Sequence, residues 1–395
     1  MLKDKVHQLA EAYFNDVVEM RRHLHRNPEL SFEEYQTAAF VKTQLDKLGI
    51  PYQVMASTGI VALLKGEQRG DKVLALRADM DALPIQEVEG RSYGSQNSGV
   101  MHACGHDVHT SSLLGAARIL HTLRSEFGGT IKLIFQPGEE KLPGGASIMI
   151  NEGVLQNPEP TGIIGQHVMP FIETGKVGFR SGKYMASCDE LFMTIKGKGG
   201  HGAHPHQNID PIAIAAQIIT ALQQIVSRNA DPRTPTVLSW GKIIGNGATN
   251  IIPEQVYLEG TFRTFDEEWR ANAHTLMIKM AEGIAQSMGA SCDFEVRKGY
   301  PYLVNEAKIT ESARNCAIEY LGEENVEELD IWPAAEDFSY YSQAVSACFY
   351  RLGTGNKLLG INSAVHTPTF DIDEKALLTS IGLMAFITLR QLGVE

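Results

Sequence analysis

Residues 101–109 read MHACGHDVH, which places three histidines, a cysteine and an aspartate within nine positions. These side chains are the donors of metal sites: imidazole nitrogen and thiolate sulfur bind zinc and related cations, and carboxylates complete or orient such sets. Cys104 and His106 stand two residues apart, out of phase for one face of a regular helix. A loop suits them better, from which both reach one cation or two adjacent ones. Gly105 between them lets the backbone turn tightly. Taken singly, His102 and His109 read as capping or packing residues and Cys104 as a buried thiol. Their density points to a metal, and that reading requires carboxylates and further histidines from distant segments.

The elements around the cluster supply them. Leu113, Leu114, Ala117, Ile119 and Leu120 have helical spacing, so the cluster precedes a buried helix. Residues 72–79, KVLALRAD, form an apolar run of strand length ending at Asp79, with Asp81 just beyond. Residues 130–136, TIKLIFQ, repeat the pattern and lead into PGEEK, and residues 162–168, GIIGQHV, end with His167. Three buried parallel strands with helices between them specify an α/β sheet carrying a site along one edge. Glu139 and Glu140 are adjacent, so their side chains diverge; one can bind metal while the other handles protons, the division that metal-assisted hydrolysis needs. His366 lies in a loop marked by Pro368.

Residues 2–26 have a helical rhythm ending at Asn27-Pro28, and in it His23 and His25 read as helix-end and packing residues rather than a metal pair. A second helix is expected over residues 32–48, stopped by Gly49. From Tyr184 the text changes to strand, glycine-rich loop and amphipathic helix, then strands at 236–244 and 255–263, a helix at 267–288 and a strand at 291–297. That β-α-β-β-α-β order is a split βαβ sandwich. It predicts a second domain, 184–298, inserted into a discontinuous first domain, 1–183 and 299–395.

At 395 residues two domains are the default, and 43% hydrophobic with 21% charged residues is an ordinary globular composition. A net charge of −12 argues against nucleic-acid and anionic-membrane partners. No run approaches the ~20 apolar residues of a membrane span, and MLKDKVHQLAEAYF lacks the apolar centre of a secretory signal. Five scattered cysteines, without CxxC spacing, suit free thiols in a reducing cytoplasm.

The segments RADMDALP, MHACGHD, QPGEE, the lone His167, GKGGHGAHPH, EDFS and HTP run in order over essentially the whole chain. Together they resemble the amidohydrolase family of hippurate hydrolase, the auxin-conjugate hydrolases and bacterial N-acyl-amino-acid deacylases, a branch of the aminoacylase-type metallopeptidases. The resemblance implies an α/β, zinc-peptidase-like catalytic domain with a mixed, mainly parallel sheet flanked by helices, and an inserted ferredoxin-like α+β lid through which the chain forms a homodimer. It implies two divalent ions held by Cys104, His106, Glu140, His167 and His366, with Cys104 bridging and Glu139 as general acid/base. Related branches use an aspartate as the bridge; sulfur there shifts preference toward zinc, with manganese, cobalt and nickel also possible.

Asp79 is implied to orient a ligand imidazole, with Asp107 a second candidate. His201 matches the histidine that reaches a substrate carbonyl oxygen or carboxylate, in related branches from the neighbouring subunit. Asn250 and Arg263 are candidates for holding a free carboxylate. His204 and His206 read as loop residues, and Glu336 and Asp337 as an outer pair or an N-cap before Phe338 rather than ligands. The implied reaction is metal-dependent hydrolysis of the amide of a small N-acyl amino acid, with di- or short-peptide hydrolysis as the alternative. A cysteine hydrolase using Cys104 leaves Glu139, Glu140 and His366 without a role, and an inactive binding protein has no use for Glu139.

Overall fold

Each apolar run becomes a strand, and the polar residues that end it mark one edge of a sheet. In the computed structural model, which describes residues 2–395, the chain forms two units. Unit 1 runs to Tyr184 and takes in Val304–Ile331 and Asp337–Glu395; unit 2 is Met185–Leu303 with Trp332–Glu336. No helix among the described residues is long and apolar enough to cross a membrane.

Unit 1 is built on an eight-stranded mixed sheet. Its strands are β1 Tyr52–Met55, β2 Gly59–Lys65, β3 Gln68–Asp79, β4 Gly128–Gln136, β5 Gly162–Glu173, β6 Val177–Phe179, β7 Val326–Glu328 and β8 Ala347–Gly355, in the order β1-β2-β4-β3-β5-β8-β6-β7. The central strands β4, β3, β5 and β8 run parallel. They are largely buried, and mainly apolar apart from residues such as Arg77, Lys132 and Arg351; β8 is buried from end to end. The helices are α1 Leu2–Arg26, α2 Tyr35–Leu48, α3 His106–Thr122, α4 Gly145–Asn151, α5 Ala307–Leu321, α6 Phe338–Ala344 and α7 Ala376–Gln391. Almost all of α3 is buried, packed between α1 and α7.

Two boundaries differ from expectation for local reasons. Helix α2 begins at Tyr35 rather than at residue 32, because Phe32 has φ 68° and the Glu34 carboxylate is turned inward onto Thr58 Oγ1 and the Gly138 N–H. Strand β5 runs on to Glu173, so His167 lies within it rather than at its end. Strand β8 keeps pairing with β5 past Pro170, with a bulge between Gly353 and Gly355. The β3–β5 register pairs Arg77 with Gly165, so His167 stands level with the last residues of β3.

Unit 2 has a four-stranded antiparallel sheet in the order Thr236–Ile244, Gln255–Thr264, Asp189–Lys196, Ser291–Lys298. Its helices, Pro211–Gln224 and Glu267–Ser287, are N-capped by the Asp210 and Asp266 carboxylates. Leu191, Met193 and Ile195 alternate into a core with Ile214, Ile218, Leu258, Phe262 and Met277. The unit extends beyond residue 298. Arg270 donates to the Cys188 and Gly299 carbonyls, Asp189 accepts the Gly299 N–H, and Ala186 N–H bonds the Trp332 and Ala334 carbonyls.

Candidate metal centre

The loop before α3 is fixed by its glycine. Gly105 has φ 83°, and a Cβ there would meet Val168 Cγ2 at 2.6 Å, so no larger residue fits between Cys104 and His106. His366, at φ 63°, is drawn to the same loop by its N–H bond to the Ala103 carbonyl (2.8 Å).

Unit 1 brings together all six residues expected at its centre. Cys104 Sγ lies 3.4 Å from His167 Nε2 and 3.3 Å from His366 Nε2. His366 Nε2 is 3.2 Å from Glu140 Oε1, and His106 Nε2 is 4.0 Å from both Glu139 Oε2 and Glu140 Oε1. Two sets of three donor atoms close enough to hold an ion share the sulfur: Cys104, His106, His167 and Cys104, Glu140, His366. His106, Glu139 and Glu140 form a third such set.

The surroundings turn the imidazole lone pairs inward. His106 Nδ1 bonds Asp81 Oδ1 (3.1 Å), and its buried Nε2 has no hydrogen-bond partner. His167 Nδ1 donates to its neighbour's carbonyl, Val168 O (2.8 Å), leaving Nε2 bare toward Cys104. Buried Nε2 of His106 and Oε1 of Glu140, both without a hydrogen bond, are what a site shaped for a cation leaves behind. Electrostatics agree. Burial alone would lower the His106 pKa, but Asp79, Asp81 and Glu140 outweigh it and raise it to about 10. Burial, and then Glu140 and Glu139, push the Cys104 thiol well up. The carboxylates thus favour positive charge at the centre and disfavour a bare thiolate, the reverse of a cysteine nucleophile's surroundings.

Two orienting residues differ from expectation. Asp79 hydrogen-bonds none of the candidate-ligand imidazoles, its Oδ2 standing 3.8 Å from His106 Nε2: its Oδ1 is 2.6 Å from His109 Nδ1, and His109 Nε2 accepts the Val168 N–H at 2.9 Å. It acts one step removed, on the backbone beside His167. The carboxylate on His106 is Asp81, whose Oδ2 accepts from Ser31 Oγ (2.6 Å) and the Glu140 N–H (2.9 Å). Asp81→Asn is expected to weaken ion affinity by about 10–100-fold, measured by chelator competition; unchanged affinity would remove Asp81 from the site.

Asp107 is likewise not bonded to any of the candidate ligands. It is buried against Arg21 Nε (2.7 Å) and His25 Nδ1 (2.8 Å). His25 Nε2 is 3.1 Å from Glu87 Oε1, so both ring nitrogens face carboxylates; burial and Arg21 would lower the His25 pKa, but Asp107 and Glu87 outweigh them and raise it. Burial would raise the Glu87 pKa, but the bonds from His25 and the Ser95 N–H lower it to about 2. A carboxylate with a depressed folded pKa stabilises the fold above its unfolded value and loses that contribution as pH falls. The unfolding midpoint is therefore expected to fall between about pH 5 and pH 2, with a flatter dependence in Glu87→Gln measured by thermal denaturation.

His201, Asn250 and Arg263 belong to unit 2. His201 and Asn250 are neighbours: Ile251 pairs with His201, and the Asn250 carbonyl accepts the Gly202 N–H. Arg263 is at the other end of its strand from Gln255, donating to the Pro333 carbonyl (3.2 Å). The structure does not group it with them.

Donors of these kinds, gathered at the carboxyl edge of a parallel sheet, define a metal-dependent hydrolase of α/β fold. Residues 75–390 match the model of peptidase family M20/M25/M40, and the chain belongs to that family, among its metal-dependent amidohydrolases. It is similar to an N-acyl-L-amino acid amidohydrolase of Geobacillus stearothermophilus, 45% identical over 306 residues, 77% of this chain and 82% of that protein. An N-acetyl-L-cysteine deacetylase of Bacillus subtilis is 41% identical over 365 residues, 92% of this chain and 85% of its own. Among solved structures, the Bacillus subtilis YXEP protein, a dinuclear metal binding peptidase from the M20 family, superposes with a TM-score of 0.83 at 35% identity. That match covers 98% of this chain and 100% of that one.

Proposed function

We propose that the protein hydrolyses the amide bond of small N-acyl amino acids and releases the free amino acid. The observation that carries this reading is the pair of donor sets sharing Cys104, with Glu139 beside them. His106 and His167 would hold one divalent ion, Glu140 and His366 the other, with Cys104 common to both. Bound there, the ions supply Lewis acidity toward water and toward the scissile carbonyl oxygen. Glu139 takes a proton from the attacking water and delivers it to the departing amine. A thiolate among imidazoles favours zinc, and the carboxylate side also accepts manganese. The names of the Geobacillus and Bacillus relatives support an acylated amino acid as substrate.

The reading includes a homodimer formed through unit 2. Its edge strand Thr236–Ile244 carries exposed Val237, Ile243 and Ile244, the kind of surface a second copy covers. Five free cysteines support a reducing compartment. The test is hydrolysis of N-acetyl, N-benzoyl and indole-acetyl amino acids and a dipeptide by metal-analysed protein, before and after chelation and readdition of zinc or manganese. Amino-acid release that vanishes on chelation and returns with metal is expected. Preference for the dipeptide would replace deacylation with peptide hydrolysis, and turnover that survives chelation would overturn the metal mechanism.

A further inference from the structure

Asp337 directly precedes α6, where an aspartate ordinarily caps the helix, yet its side chain makes no capping bond. The carboxylate is fully buried and turned inward. Oδ1 accepts from Arg77 Nη2 (2.7 Å) and Gln136 Nε2 (2.9 Å); Oδ2 accepts from Gln136 Nε2 (2.7 Å) and the Ala146 N–H (2.9 Å). Its own backbone N–H donates to Glu139 Oε1 at 3.3 Å. Glu139 Oε2 is the oxygen that faces His106.

We propose that Asp337 is a positioning residue for the general base, its clamped carboxylate fixing the peptide N–H that anchors one oxygen of Glu139 and leaves the other toward the metal centre. The inference rests on the reading of Glu139 as that base. Three features of unit 1 support it. Gln136 ends β4, and only Pro137 and Gly138 separate it from Glu139, so Asp337 grips the strand that delivers the base as well as the base itself. Arg77 is fully buried and extends Nη1 to Asp79 Oδ2 (2.6 Å) and Nε to Gln136 Oε1 (2.9 Å). One planar guanidinium therefore braces the base side and the Asp79–His109 side together, a geometry lysine's single ammonium cannot reproduce. Finally, a carboxylate that must take a proton from one water gains from having few orientations, since a misplacement of about 1 Å costs on the order of 10²-fold in rate.

Asp337→Asn keeps the volume but turns an amide NH₂ toward donors, the Arg77 guanidinium and Gln136 Nε2 on one oxygen or Gln136 Nε2 and the Ala146 N–H on the other. The expected result is a kcat lower by about 10–100-fold, with KM within about threefold of wild type and ion content unchanged. Gln136→Met, which removes the Gln136 contacts at similar size, should shift kcat alone in the same direction and decides the matter if Asp337→Asn does not fold. Wild-type kcat in the folded variants, or activity lost in proportion to bound metal, would overturn the inference. Glu139→Gln run alongside separates the two failures. An inactive Glu139→Gln beside an unaffected Asp337→Asn refutes only the positioning role, whereas an active Glu139→Gln refutes the base and this inference with it.

Discussion

Cys104→Ala is expected to lose both ions and more than about 10³-fold in turnover, the scale at which removing a site's Lewis acid and nucleophile source acts. Sγ is the one atom common to the two donor sets, with His167 Nε2 at 3.4 Å and His366 Nε2 at 3.3 Å. Without it each ion keeps two protein donors from its set, short of the three that catalytic sites ordinarily provide. The fold should survive, because Cys104 sits in a loop and the truncation removes one atom. Elemental analysis of the purified variant, paired with its hydrolysis rate, is the measurement. Cys104→Asp offers a carboxylate in place of sulfur and should recover part of the metal and part of the rate. Full metal content in Cys104→Ala would sink the shared-thiolate assignment. Retained metal with lost turnover would instead return the cysteine to candidacy as nucleophile.

The sequence showed which residue types converge more clearly than which atoms meet. Glu140 and His167 were legible because each follows or ends an apolar run, and a sheet of parallel strands delivers such positions to one edge, whereas His106 stood out by the crowding of donors around it. The sequence put forward Asp79 and Asp107 as orienting acids and passed over Asp81: both Asp79 and Asp81 come at the end of the same apolar run, and only the turn of the chain past β3 sends Asp81 to His106 and Asp79 to His109. Helix periodicity read His23 and His25 as helix-end and packing residues. It carried no sign that the His25 ring lies between Asp107 and Glu87, contacts made 82 and 62 residues away. The sequence carried no sign of Trp332–Glu336 as part of unit 2, because they join it through long-range bonds such as those from the Ala186 N–H rather than through a change of local pattern. Glu336 and Asp337 were open between an outer pair and an N-cap, because position alone cannot reveal that Arg77 and Gln136 have turned the Asp337 side chain inward.

Glu139→Gln should keep its ions and lose about 10²–10⁴-fold in kcat, the range for a positioned acid–base group. The residue is 6% exposed, with Oε1 held by the Asp337 N–H and Oε2 4.0 Å from His106 Nε2. Glutamine reproduces that shape: its amide oxygen still accepts the Asp337 N–H, while the group no longer takes up a proton near neutral pH. A loss at constant metal content therefore reports proton transfer and not binding. Glu140→Gln is the necessary contrast. That residue lies in a donor set with Cys104 and His366, so its variant should shed an ion and regain rate only at high added metal. Glu139 also stands in a donor set with His106 and Glu140, so the metal content of the two variants separates the roles of the two glutamates. If Glu139→Gln loses metal as Glu140→Gln does, both are ligands and the proton must travel by another group. If it binds metal fully and works within about tenfold of wild type, Glu139 is not the base, since such a group is worth more than that.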